Sequence, residues 1–171
     1  MIISYTYKLK PNPNQSRTMD NWLNMLRSLY NYLLRERIEA YDQVKAPVLG
    51  DYCRLDNKGE CCPLTCSVSK NVLHGEPWII EKKTGNAKKR SAGAQQDLCL
   101  PILKQSRPWY KSINADVLQM LIRRLDTAYK NFFQEGREYP KPKRSSKFRS
   151  FSYKPGQVKF NGNRVRLPGI G

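Results

Sequence analysis

The 171 residues carry 31 Lys+Arg against 14 Asp+Glu, a net charge of +17, in a length that allows one medium or two small domains. With 39% apolar and 11% aromatic residues the composition excludes a disordered tail, and no run reaches the eighteen or so apolar residues of a membrane span. The charge asks for a polyanionic partner, no membrane is expected without such a run, and the start Met1-Ile2-Ile3-Ser4-Tyr5 lacks a signal-peptide layout, so a soluble cytosolic protein is expected.

Ile3, Tyr5, Tyr7 and Leu9 alternate with Ser4, Thr6 and Lys8 before Pro11 and Pro13. That period of two predicts a half-buried first strand. Beyond the prolines, Trp22, Leu26, Leu29 and Leu33 recur three and four apart, with Leu23, Tyr30, Leu34, Ile38 and Tyr41 on an adjoining stripe. The spacing predicts one long amphipathic helix over residues 14–44, buried on more than one side. Residues 46–96 scatter Gly, Pro, Asn and Cys without lasting periodicity and end in the basic cluster 82–90. They read as an irregular insertion on a helical domain. A short helix is expected over residues 96–105, with Pro101 in its first turn or breaking it.

A second firm helix is expected from Asn114, a good N-cap with Asp116 in the first turn, through Val117, Leu118, Leu121, Ile122, Leu125, Tyr129 and Phe133 to Gly136. Arg123, Arg124 and Lys130 decorate it, and Arg123 joins the nucleic-acid-binding candidates. After a basic link at residues 139–144, short runs at 151–153, 158–160 and 164–167 are separated by Pro155-Gly156 and Asn161-Gly162. Glycine supplies the positive φ of such turns, and a three-strand meander is predicted. Strand, helices and strands in that order give an α+β fold whose first strand joins the last three, with the helices inserted between them.

Residues 139–171 hold nine basic residues and no acidic one. Lys141, Lys143, Arg144, Lys147, Arg149, Lys154, Lys159, Arg164 and Arg166 are interleaved with Tyr139, Phe148, Phe151, Tyr153 and Phe160. Cations for phosphate thus alternate with rings able to stack on bases. Arg164 and Arg166, two apart on a strand, share a face. The plainer reading of the same stretch is a solvated basic surface over core aromatics.

Cys53, Cys61, Cys62 and Cys66 lie within fourteen residues, with His74 beyond them. Thiolates and imidazole could bind zinc, which would then supply folding energy to the insertion. The spacing lacks two short knuckles, so reduced thiols and disulfides stay open beside zinc. His74 is the only histidine, and no nucleophile, base and acid grouping or phosphate loop appears. Binding, without catalysis, is what the residues predict.

In order along the chain, Tyr5-Thr6-Tyr7-Lys8-Leu9-Lys10-Pro11, Leu29-Tyr30-Asn31, Arg37-Ile38-Glu39-Ala40-Tyr41, Leu125-Asp126-Thr127-Ala128-Tyr129-Lys130-Asn131-Phe132-Phe133 and Arg164-Val165-Arg166-Leu167-Pro168 resemble the amino-terminal part of TnpB. This family, also called OrfB, comprises transposon-encoded RNA-guided DNA nucleases ancestral to type V CRISPR effectors. The resemblance implies a small β-barrel-like wedge domain built from residues 1–12 and 137–171, around a helical recognition domain at residues 13–136 once described as a helix-turn-helix. It implies a prokaryotic cytoplasmic protein, nucleoid-associated when bound to DNA. Its wedge and helical domains hold guide RNA and read a short DNA motif beside the target, while base pairing reads the rest. Matched by position, Gln119, Tyr153 and Lys154 become candidates for contacting that motif, because a glutamine can make two hydrogen bonds to adenine. The family continues into a RuvC-like nuclease with three metal-binding carboxylates and a zinc ribbon, which are not among these residues. The expectation is binding without cleavage, with a separate nuclease part as the partner that would complete a split endonuclease. A structural RNA-binding protein is the remaining alternative.

Overall fold

The computed structural model describes residues 6–45, 78–80, 87–89, 91–162 and 164–171. Helix α1 spans Pro13–Lys45, and three residues set its start. Asn12 Oδ1 accepts the Gln15 backbone N–H at 2.8 Å, and Gln15 Oε1 accepts the Asn12 backbone N–H at 3.0 Å. This reciprocal capping box satisfies amides that the first turn leaves unpaired, and Pro13 sits where a missing N–H costs nothing. Pro13 therefore opens the helix as well as ending what precedes it.

Trp22, Leu26, Leu29, Tyr30, Leu33 and Leu34 form the buried face of α1. Helix α2 (Ala92–Ser106) is capped by Ser91, whose Oγ accepts the Ala94 N–H at 3.2 Å. It begins four residues before the expected start and carries Pro101 in its interior, not in its first turn. The proline removes the bond to the Asp97 carbonyl, while Gln95, Gln96 and Leu100, all buried, hold the helix against its neighbours on either side of the gap. A 3₁₀ turn at Pro108–Ser112 then inserts Tyr110 into the core, where its hydroxyl donates to the Met25 carbonyl at 3.3 Å.

Helix α3 (Ala115–Glu135) starts as the sequence predicts, with Asn114 Oδ1 accepting the Asp116 N–H at 2.8 Å. It ends at Gly136, whose φ of 63° is the left-handed conformation that lets a backbone N–H return to the Asn131 carbonyl. Val117, Leu118, Leu121, Ile122 and Leu125 are buried. At roughly 1.5–3 kcal/mol for each fully buried aliphatic side chain, this stripe of α3, packed in one core with the buried face of α1, is a large stabilising term.

A buried polar cluster keys the three helices together. Arg37, 8% exposed, donates from Nε and Nη2 to Gln96 Oε1 at 2.9 and 2.7 Å, and its Nη2 pairs with Asp126 Oδ1 at 2.7 Å. Gln96, 1% exposed, donates in turn to the Leu33 carbonyl at 3.1 Å and to Glu36 Oε2 at 2.8 Å. Gly93 permits the close approach, since a Cβ there would lie 2.1 Å from Asp126 Oδ2.

The β structure departs from the expectation. Residues 6–12 form no strand and Thr6 to Lys10 are exposed on both sides of the alternation, so the period of two there does not mark a half-buried edge. Met1 to Tyr5, the rest of that predicted strand, lie outside the described residues. Strands β1 (Trp78–Ile80) and β2 (Ala87–Lys89) form an antiparallel ribbon, inside the stretch expected to lack regular elements. Residues 151–153 are not a strand either. Phe151 turns to Trp22 and Tyr153 to Phe151, each with 5.8 Å between ring centroids, and the Tyr153 hydroxyl donates to the Pro168 carbonyl at 3.0 Å. What remains of the meander is the hairpin of β3 (Lys159–Asn161) and β4 (Arg164–Arg166), with Lys159 opposite Arg166 and Asn161 opposite Arg164. Gly162 takes a φ of 56° in its turn, as the Asn-Gly signal requires. The two ribbons do not pair with each other. Among the described residues the fold is therefore α+β without a barrel.

The carboxyl-terminal segment packs onto the helices. Asn31 clamps the basic link to α1, donating from Nδ2 to the Lys143 carbonyl at 3.1 Å and accepting the Lys143 N–H at 2.8 Å. Phe148 is buried against Tyr30. Gly169, at φ 87°, lies so close to Trp22 that a Cβ would come within 2.8 Å of the indole.

Candidate nucleic-acid interface

Residues 8–11 run beside the β3–β4 hairpin and leave a groove of about 950 Å³ between them. Lys8 and Lys10 line one side, Lys159, Arg164 and Arg166 the other, and no aspartate or glutamate lines it. Phe160, 68% exposed, stands at the same wall. None of these five cations has an acidic partner among the described residues, and all five are exposed. Unpaired cations around an exposed ring suit a strand of nucleic acid, which offers phosphates and π faces together.

Lys8 and Lys10 were not singled out by sequence reasoning. The signal was present, because the first acidic residue in the chain is Asp20, but it was absorbed into a strand prediction. The interleaved aromatics are also sorted by the structure. Phe148 is buried, and Phe151 and Tyr153 are half-buried. Tyr139 meets Phe132 at 5.0 Å and Tyr129 at 5.7 Å between centroids, with its hydroxyl 3.1 Å from that of Tyr129. Four of the five rings expected to be available to bases are thus packing residues, and Phe160 alone is exposed. Burial pushes the Tyr153 phenol up to about 12, in keeping with a hydroxyl committed to a backbone carbonyl.

The predicted cations divide in the same way. Arg144, Lys147 and Arg149 are exposed and make no ion pair among the described residues. Lys141 pairs with Glu138 at 2.8 Å on the surface, and Lys143 is half-buried with its ammonium 6.0 Å from the Tyr30 ring centroid. Arg123 is exposed on α3. Gln119 and Lys154, 35 residues apart, are brought together: Lys154 Nζ donates to Gln119 Oε1 and pairs with Asp116 Oδ1 at 2.9 Å. The proposed zinc ligands Cys53, Cys61, Cys62 and Cys66 lie outside the described residues, as does His74.

A helical core in which Arg37 meets Asp126 and Lys154 meets Asp116, beside a groove lined by exposed cations, has the chemistry to hold a polyanion. Comparison with known families narrows this. Residues 1–46 match the helix-turn-helix domain of the OrfB/IS605 type, so the amino-terminal region is that of the TnpB/OrfB family, and the domain implies DNA binding. Within the matched span the described residues 13–45 are one uninterrupted helix, α1. The chain matches no curated protein. No helix among the described residues is long and apolar enough to cross a membrane.

Proposed function

We propose that this chain is the nucleic-acid-holding part of a TnpB-like protein, in which the hairpin groove grips guide RNA and α3 reads a motif in target DNA. The observation that carries the reading is the groove itself, with five cations, an exposed ring and no acidic residue among those lining it. An exposed ring among the cations favours a single strand over a duplex, since unpaired bases offer their faces for stacking. On α3, Gln119 has the chemistry to read adenine once its amide is free, and Lys154 supplies a phosphate contact beside it. Tyr153 contributes by fixing the loop that presents Lys154. The reading concerns binding, and cleavage would fall to a RuvC-like part.

The test compares single-stranded RNA with a DNA duplex across salt. Removing Arg164 and Arg166 together should weaken RNA binding about tenfold and lower its salt slope by about 1.5, while duplex binding changes less. Lys154→Ala should do the reverse. Equal losses on both ligands for both variants would leave only a general basic surface.

A further inference from the structure

Lys154 is held in an unusual way for a residue in a segment without acids. Its ammonium is taken by Asp116, which reaches over from the first turn of α3, and the side chains are only 29% and 22% exposed. The same ammonium donates to Gln119 Oε1. Asp116 and Gln119 lie three apart on the helix, so both project from one face. An acid in the first turn suits the helix dipole, while the cap itself is Asn114, whose Oδ1 accepts the Asp116 backbone N–H; the Asp116 carboxylate is paired with Lys154. The arrangement has a consequence for Gln119. Pairing with adenine needs the amide oxygen to accept and the amide nitrogen to donate together, and here the oxygen is turned to Lys154.

We propose that Asp116 stands in for a DNA phosphate: it stores Lys154 across Gln119 in the free chain, and a phosphate that takes Lys154 releases Gln119 to pair with a base. This rests on the reading that Lys154 and Gln119 face DNA. The device couples the two kinds of contact. Backbone engagement comes first, and the base-reading amide becomes available only where a phosphate has displaced the aspartate.

The experiment measures binding of the 171-residue chain to a labelled random-sequence DNA duplex at low salt, for wild type, Asp116→Asn, Lys154→Ala and the double variant. Asp116→Asn should bind about two- to fivefold tighter, the range of a partly exposed ion pair. In the Lys154→Ala background the same substitution should change nothing. Equal tightening in both backgrounds would mean general charge repulsion and would overturn the latch. Unchanged or weaker binding by Asp116→Asn, with Lys154→Ala weakened, would overturn it too while leaving the DNA-facing reading intact. Wild-type affinity for Lys154→Ala would instead sink that reading and the latch with it. Asp116→Ser, another good first-turn residue, repeats the measurement if Asp116→Asn melts early.

Discussion

The three-helix seam and the hairpin groove use arginine in opposite ways. Arg37, in the seam, is nearly closed off from water and saturated by Gln96 and Asp126, with its guanidinium 5.4 Å from the Tyr129 ring centroid. Arg164 and Arg166, in the groove, are exposed and meet no acid among the described residues. The first setting fixes which helix faces meet, because each polar atom fits only one arrangement. The second contributes little to folding and leaves charge for something outside the chain. Net charge alone does not separate the two; what each cation touches does.

The largest effect that would sharpen this contrast comes from Arg37. Arg37→Met strips buried Gln96 and Asp126, whose side chain is 43% exposed, of a shared partner, and with that carboxylate partly solvated the loss is about 2–3 kcal/mol. Urea denaturation should show that loss. Arg164→Ala with Arg166→Ala should leave the unfolding free energy from urea within about 0.5 kcal/mol of wild type, although it removes groove binding. A comparable loss of stability from the groove pair would erase the distinction between the regions.

A smaller effect tests how the groove is attached to the seam. Gly169 packs its backbone on Trp22, a core residue of α1, at a φ that other residues adopt with strain. Gly169→Ala should cost roughly 1–2 kcal/mol from strain and ring overlap, read as a lowered melting temperature. Because Ile170 and Gly171 line the groove, affinity for single-stranded RNA should fall as well. Normal binding in a destabilised protein would mean that the hairpin does not depend on this anchor.

Much of the seam was legible in the sequence, for a physical reason. Trp22, Leu26, Leu29 and Leu33, like Val117, Leu118, Leu121 and Ile122, repeat with the helical period, and burial of a stripe follows from that period alone. The groove was legible only in part. Arg164 and Arg166 showed up as unopposed charge, but their neighbours Lys8 and Lys10 come from the other end of the chain. Tyr5, Tyr7 and Leu9 alternate like a strand, yet residues 6–10 find no strand to pair with, since pairing is a tertiary event that alternation cannot guarantee. The capping box at Asn12 and Gln15 had a readable pattern that the flanking prolines masked. The resemblance put Gln119 and Lys154 at one site, but their contact with each other and with Asp116 had no signal, because residues 35 apart meet only through tertiary packing.

The smallest predicted effect concerns an acid that the seam leaves poorly served. Asp97 on α2 has Oδ1 buried without a hydrogen-bond partner. Burial, and after it the Asp126 charge, raise its pKa above the usual aspartate value, while Arg123 and Lys154 pull the other way. A carboxyl whose pKa is raised by folding favours the fold while protonated, and that contribution is lost as pH rises through the raised value. At neutral pH the ionised Asp97 therefore works against folding. Asp97→Asn should stabilise the protein there by less than about 1 kcal/mol, and the gain should shrink to nothing as pH falls below the ordinary aspartate range. Urea midpoints of the two proteins across that acidic window measure the difference with other carboxylates cancelling. A gain that grows toward acid would mean that Asp97 is stabilised as an anion, and that α2 is keyed to α3 by charge at a second point beside Arg37.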